Sequence, residues 1–124
     1  MKPRLVSVLL AALLGTMSSG PVAAQTSEPA WTVAGRQGLV RQVIVPTALA
    51  KDEAAYQRQI AQLCGADETC FLNFYTNSTG AEVALPLPDA IANEATATWR
   101  RSMKNGARLF TWSCRLQVPD RPCF

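Results

Sequence analysis

The chain has no histidine anywhere in its 124 residues. That absence removes the commonest general base and the commonest metal ligand together, so Ser-His-Asp, Cys-His and His-metal mechanisms are excluded by composition. No P-loop and no G-x-G-x-x-G run occurs, which leaves nucleotide binding without a phosphate cradle. Lysine is scarce and arginine supplies most of the positive charge. Long apolar runs are confined to the N-terminus, and none further along approaches the roughly 20 residues needed to span a bilayer. No membrane span is therefore expected beyond that first segment, and no cofactor is implied.

Met1 to Arg4 is short and positive, and Leu5 to Met17 is uncharged and rich in Leu, Val and Ala. Gly15, Thr16, Ser18, Ser19, Gly20 and Pro21 interrupt it before it could act as an anchor. With small residues at Val22 and Ala24, the pattern predicts a signal peptide over 1–24, cut between Ala24 and Gln25, and hence a periplasmic or secreted protein. Lys2 and Arg4 leave with that peptide. Ten Lys and Arg then face nine Asp and Glu, a net charge of about +1, which gives no electrostatic case for a nucleic-acid or membrane-surface partner.

Cys64, Cys70, Cys114 and Cys123 are even in number in a chain expected to be exported, which predicts disulfides. Their C-x5-C and C-x8-C spacings suit neither zinc nor a thioredoxin-like C-x-x-C. Chain entropy alone favours bridges closing longer loops, about 4 kcal/mol against about 2.5 for a short one. The local pairing Cys64–Cys70 and Cys114–Cys123 is nevertheless expected, because Gly65, Pro119 and Pro122 can turn the chain within each pair.

The 25–37 segment reads as an N-terminal extension and 38–124 as a single disulfide-linked domain. Leu39 to Val45 is β-branched and predicts a strand ended by Pro46. From Ala48 to Cys64, Leu49, Tyr56, Ile60 and Leu63 share one helix face. Thr69 to Thr76 alternates, with Cys70, Leu72 and Phe74 on one side and Phe71, Asn73 and Tyr75 on the other. Asn77 to Gly80 is a turn, and Ala81 to Leu85 predicts a short strand before Pro86. Ile91, Ala95, Trp99 and Met103, four apart, predict a helix from Asp89 to about Lys104. Leu109 to Val118 predicts the last strand, with Phe110, Trp112, Cys114, Leu116 and Val118 inward. The expected fold is α+β: a small antiparallel sheet with two helices on one face, in the β-α-β-β-α-β order of the ferredoxin-like, split βαβ arrangement. A three-stranded β-α-β-α-β sheet is the alternative if Ala81 to Pro88 is only a loop.

No residue set converges on catalysis. Ser102 and Lys104 are two apart and would diverge on a helix, while Asp52 with Glu53 and Asp67 with Glu68 fit a solvated helix start and a polar loop. Charge, however, is unevenly placed. Residues 25–98 carry a net of about −4 and residues 99–124 a net of about +5. A basic face of Arg100, Arg101, Lys104 and Arg108, or an aromatic face of Phe71 and Tyr75, could therefore hold an acidic protein or envelope component. The expected function is a small exported binding, accessory or inhibitor module. A small hydrolase or transferase working through carboxylates is the alternative.

Overall fold

In the computed structural model the described residues are Gly15, Thr16, Gly20 and 28–124. The expected signal peptide and its cleavage point lie, apart from three isolated positions, outside them. The first two strands, β1 (Thr32–Gln37) and β2 (Val40–Val45), form an antiparallel hairpin. Gly38 makes its two-residue turn at φ +62°, a conformation glycine adopts without steric cost. Pro46 ends β2, and a 3-10 turn at Thr47–Leu49 leads into α1 (Glu53–Leu63). Asp52 caps α1 by accepting from the Ala55 N–H at 3.1 Å. The helix carries the chain back so that β3 (Cys70–Thr76) pairs parallel with β2, with Val43 beside Phe74.

After the 77–88 loop come α2 (Asp89–Ala92), β4 (Ala95–Arg101) and β5 (Arg108–Trp112), the last two antiparallel neighbours. The sheet is mixed, five-stranded and in sequential order β1-β2-β3-β4-β5. A 3-10 turn at Cys114–Leu116 then reverses the chain, and Phe124 donates its N–H to the Trp112 carbonyl at 3.0 Å. The class is α+β, and no helix among the described residues is long and apolar enough to cross a membrane.

The core lies between α1 and one sheet face. Ala55, Tyr56, Gln59 and Ile60 of α1 meet Val43, Val45, Leu72, Phe74, Ala97, Trp99 and Trp112. Tyr56 stands at its centre, with the rings of Trp31, Phe74, Phe110 and Trp112 edge-on at 5.0 to 5.4 Å. Each such pair stabilises by about 0.5–1.5 kcal/mol beyond area burial. Cys64 pairs with Cys70 and Cys114 with Cys123, at Cα separations of 5.8 and 4.9 Å.

Four expectations are corrected. Residues from Glu28 on belong to the fold rather than to an extension: Trp31 is buried, its N–H donates to Gln59 Oε1 at 2.8 Å, and β1 is an edge strand. Ala81 to Leu85 forms no strand, because β2 occupies the place beside β3, so the order is β-β-α-β-α-β-β and not ferredoxin-like. The helix from Asp89 ends at Ala92, and Ala95–Arg101 is a strand. Ala95 and Trp99 fit spacings of two and of four alike, and β-branched Thr96 and Thr98 favour the strand. Finally, β5 stops at Trp112, where the disulfide turn begins, and Cys114 is exposed.

Candidate functional site

The sheet face turned away from α1 is built by alternation, interrupted where the β3–β4 register shifts between Phe74 and Tyr75. The registers place Val40, Phe71, Arg100 and Leu109 side by side across β2 to β5. The next row is Gln42, Asn73, Thr98 and Thr111, and Ile44 and Tyr75 follow. Leu85, from the loop after β3, sits against Gly35 on β1, where a Cβ would approach its Cγ to 3.0 Å. Gln42, paired with Gly35, is buried there. Toward β3, β4 and β5 the face remains accessible: Leu109 is 54% exposed, and Phe71, Asn73, Tyr75, Thr98, Arg100 and Thr111 are half-buried.

Among the described residues, Arg100 is the one cation on this face. Its Nη1 donates to the Leu72 and Trp99 carbonyls at 3.0 and 2.9 Å, and its Nη2 to Asn73 Oδ1 at 2.7 Å. The guanidinium carbon lies 5.6 Å from the Phe71 ring centroid, within cation–π range. Every one of these partners is neutral, and Arg100 makes no ion pair among the described residues. Of its five N–H donors, the Nε–H and one on Nη2 have no hydrogen-bond partner among the described residues. Burial pulls its pKa below the ordinary arginine value, yet guanidinium remains charged in proteins. The result is a half-buried, fixed positive charge with two donors to spare, suited to a carboxylate, phosphate or sulfate oxygen.

Arg101, the next residue along β4, points to the helix side. It donates to the carbonyls of Gly65 and Glu68. Arg41 bonds the Leu63 carbonyl at 2.8 Å, the Glu68 carboxylate at 3.4 Å and Cys70 Sγ at 3.0 Å. Together they tie the loop between Cys64 and Cys70 to the sheet. A hydrogen bond from the Gly65 N–H, helped by Arg41, holds the Glu68 carboxyl below the usual range. Lys104, in the β4–β5 turn, and Arg108 are exposed with no hydrogen-bonded partner among the described residues. Arg36, Arg41, Arg100, Arg101, Lys104 and Arg108 thus gather at one end of the sheet. Asp52, Glu53, Asp89 and Glu94 lie at the other.

Asp67 and Glu68 share the basic end and Lys51 the acidic one, so the unevenness along the sequence becomes a partial end-to-end polarity of the fold. Arg115 and Arg121 belong to the acidic end, where Arg121 grips Glu53 at 2.6 and 2.7 Å and lowers its carboxyl pKa. Hydrogen bonds from Ser78 and Thr76 do the same for Glu94.

Of the residues expected to form a site, the structure brings Phe71, Tyr75 and Arg100 onto one face. It separates Arg101 and its register partner Arg108 from them and leaves Lys104 in the exposed β4–β5 turn. Arg100 and Arg101 diverge because neighbours in a strand point to opposite sides, whereas a helix end would have kept them nearer. Thr98 and Thr111 were not expected beside Arg100. A period-two reading of Ala95–Arg101 is the signal that finds Thr98.

No group of three or more potential metal ligands occurs among the described residues. A shallow depression of about 430 Å³ near the start of β1, bordered by Pro29, Trp31, Ile44, Pro46 and Asn77, contains no titratable side chain. Compared with protein-family models, curated proteins and solved structures, the chain matches none.

Proposed function

We propose that the protein is an exported binding module that recognises an anionic partner through the open sheet face, with Arg100 as the anchoring charge. The observation that carries this reading is the state of Arg100: half-buried, oriented by three neutral oxygens and one aromatic ring, and without a carboxylate. A desolvated charge costs stability unless something pairs with it. Retaining one on an accessible face, pre-oriented by its neighbours, fits recognition better than it fits folding. Phe71 and Tyr75 supply apolar area on the same face, and Lys104 in the β4–β5 turn adds positive charge near it. Two disulfides are consistent with an oxidising, extracellular location.

The test is titration of residues 25–124 with two carboxylate polymers, polyglutamate and polygalacturonate, at low and at high salt. At least one should bind, and Arg100→Gln should weaken it about tenfold or more while the domain stays folded. Arg100→Lys, which keeps the charge but not the planar fork, should fall between. Equal binding by all three proteins, or no binding of either polymer, refutes the reading.

A further inference from the structure

We infer that the anionic partner is a saccharide bearing carboxylates, an inference that rests on the anion-binding reading of Arg100. Around that charge the open face is neutral and hydrogen-bonding. Asn73, Thr98 and Thr111 form a row across β3, β4 and β5 directly beside the row of Arg100, at the strand spacing of about 4.8 Å. The hydroxyls of Thr98 and Thr111 have no hydrogen-bond partner among the described residues, and the Asn73 amide N–H reaches only the Tyr75 hydroxyl, at 3.5 Å. Arg101 is turned away and spent on loop carbonyls, so among the described residues this face presents a single cation and several hydroxyl and amide groups.

A glutamyl side chain brings a carboxylate but no hydroxyl and would leave Asn73, Thr98 and Thr111 unused. A ligand with one carboxylate among many hydroxyls matches the inventory: the carboxylate on Arg100, the hydroxyls on Asn73, Thr98 and Thr111. The apolar C–H face of a sugar ring would then lie on Leu109, which neighbours Arg100 and is 54% exposed. Such a face, apolar area with a few placed polar groups, is the usual make-up of a small-ligand site.

The experiment compares three probes on the 25–124 protein by calorimetry: oligogalacturonate, the same oligosaccharide with its carboxylates reduced to alcohols, and polyglutamate. Oligogalacturonate should bind, and the reduced form should bind at least tenfold more weakly. The isosteric pair Thr98→Val with Thr111→Val should weaken oligogalacturonate about fivefold or more and leave polyglutamate unchanged. Thr111→Ala alone, expected to lose about half that factor, serves if the pair does not fold. Polyglutamate binding as tightly as oligogalacturonate, with the valine pair altering neither, overturns the saccharide assignment and leaves Arg100 as an anion site for a peptide. Binding of every probe unaltered by Arg100→Gln overturns the anion reading itself.

Discussion

Tyr56→Phe removes one oxygen atom from a side chain with no exposed surface. That hydroxyl donates to the Ala50 carbonyl at 2.7 Å and lies 2.8 Å from Thr96 Oγ1, which itself reaches the Phe74 carbonyl at 3.3 Å. Phenylalanine keeps the ring and its edge-on neighbours, so the loss is confined to hydrogen bonding. Two bonds at about 0.5–1.5 kcal/mol each give a cost of about 1–3 kcal/mol.

The same hydroxyl sets an alkaline limit. Burial pushes its pKa up to about 12 from the ordinary value of 10.0. Because the folded value lies above the unfolded one, the folded state keeps a proton that the unfolded chain has released. The contribution is whole below about pH 10 and is lost as pH rises through about 12, amounting to about 2–3 kcal/mol at about 1.4 kcal/mol per pKa unit. Urea unfolding of wild type and Tyr56→Phe between about pH 7 and 12 measures both effects. Phenolate absorbance in a Tyr75→Phe background, where Tyr56 is the remaining tyrosine, tracks its ionisation directly. A cost under about 0.5 kcal/mol at neutral pH, with the alkaline limb shared by both proteins, would refute the reasoning.

Trp112→Ala should cost about 3–5 kcal/mol, since Trp112 is 2% exposed and packs on Tyr56 and Phe110; urea unfolding showing less than about 1 kcal/mol would contradict its central place in the core. Arg121→Gln should remove stability that is present near neutral pH. The Glu53 pKa is depressed by the Arg121 hydrogen bond, so the benefit is present above the ordinary glutamate value of about 4.3 and fades as pH falls through the lower folded value. Melting curves of the two proteins should therefore converge in acid, and a constant separation would deny the pairing. Native protein should expose no reactive thiol, and limited reduction should open Cys114–Cys123, whose residues are exposed, before the buried Cys64–Cys70; mass mapping of alkylated cysteines checks the order.

What the sequence makes legible is local and periodic. The helix face through Tyr56 and Ile60, the alternation of Cys70–Thr76 and the turn at Asn77–Gly80 are properties of short segments, and they recur in the structure. Phe71 and Tyr75 could accordingly be placed on one face. Ala95–Arg101 escaped because its apolar residues satisfy two periods at once, and the tie is broken by pairing with β3, a partner distant in sequence. A bulge adds to the disguise: Thr96 is the extra residue between the Phe74–Ala97 and Tyr75–Ala95 pairs and turns into the core to meet Tyr56. Trp31 was hidden by its Ser- and Pro-containing surroundings, although a lone tryptophan in such a stretch signals burial. The open face beside Arg100 is assembled from β3, β4 and β5, so no single segment could announce it.

The central claim is that Arg100 is a charge kept for binding at the expense of stability. Arg100→Met keeps an unbranched apolar stem beside Phe71, shorter than that of arginine, while deleting the charge and its hydrogen bonds. The direct measurement is the unfolding temperature of wild type and Arg100→Met, each with and without a saturating carboxylate polymer that binds wild type. At a hundredfold excess over Kd, binding stabilises by about 2.7 kcal/mol, on the order of 10 °C for a domain this size. Wild type should show that rise, and Arg100→Met should melt at or above the unliganded wild type and show none. A variant that melts well below wild type yet gains the full rise on adding the polymer would make Arg100 a structural residue and contradict the account.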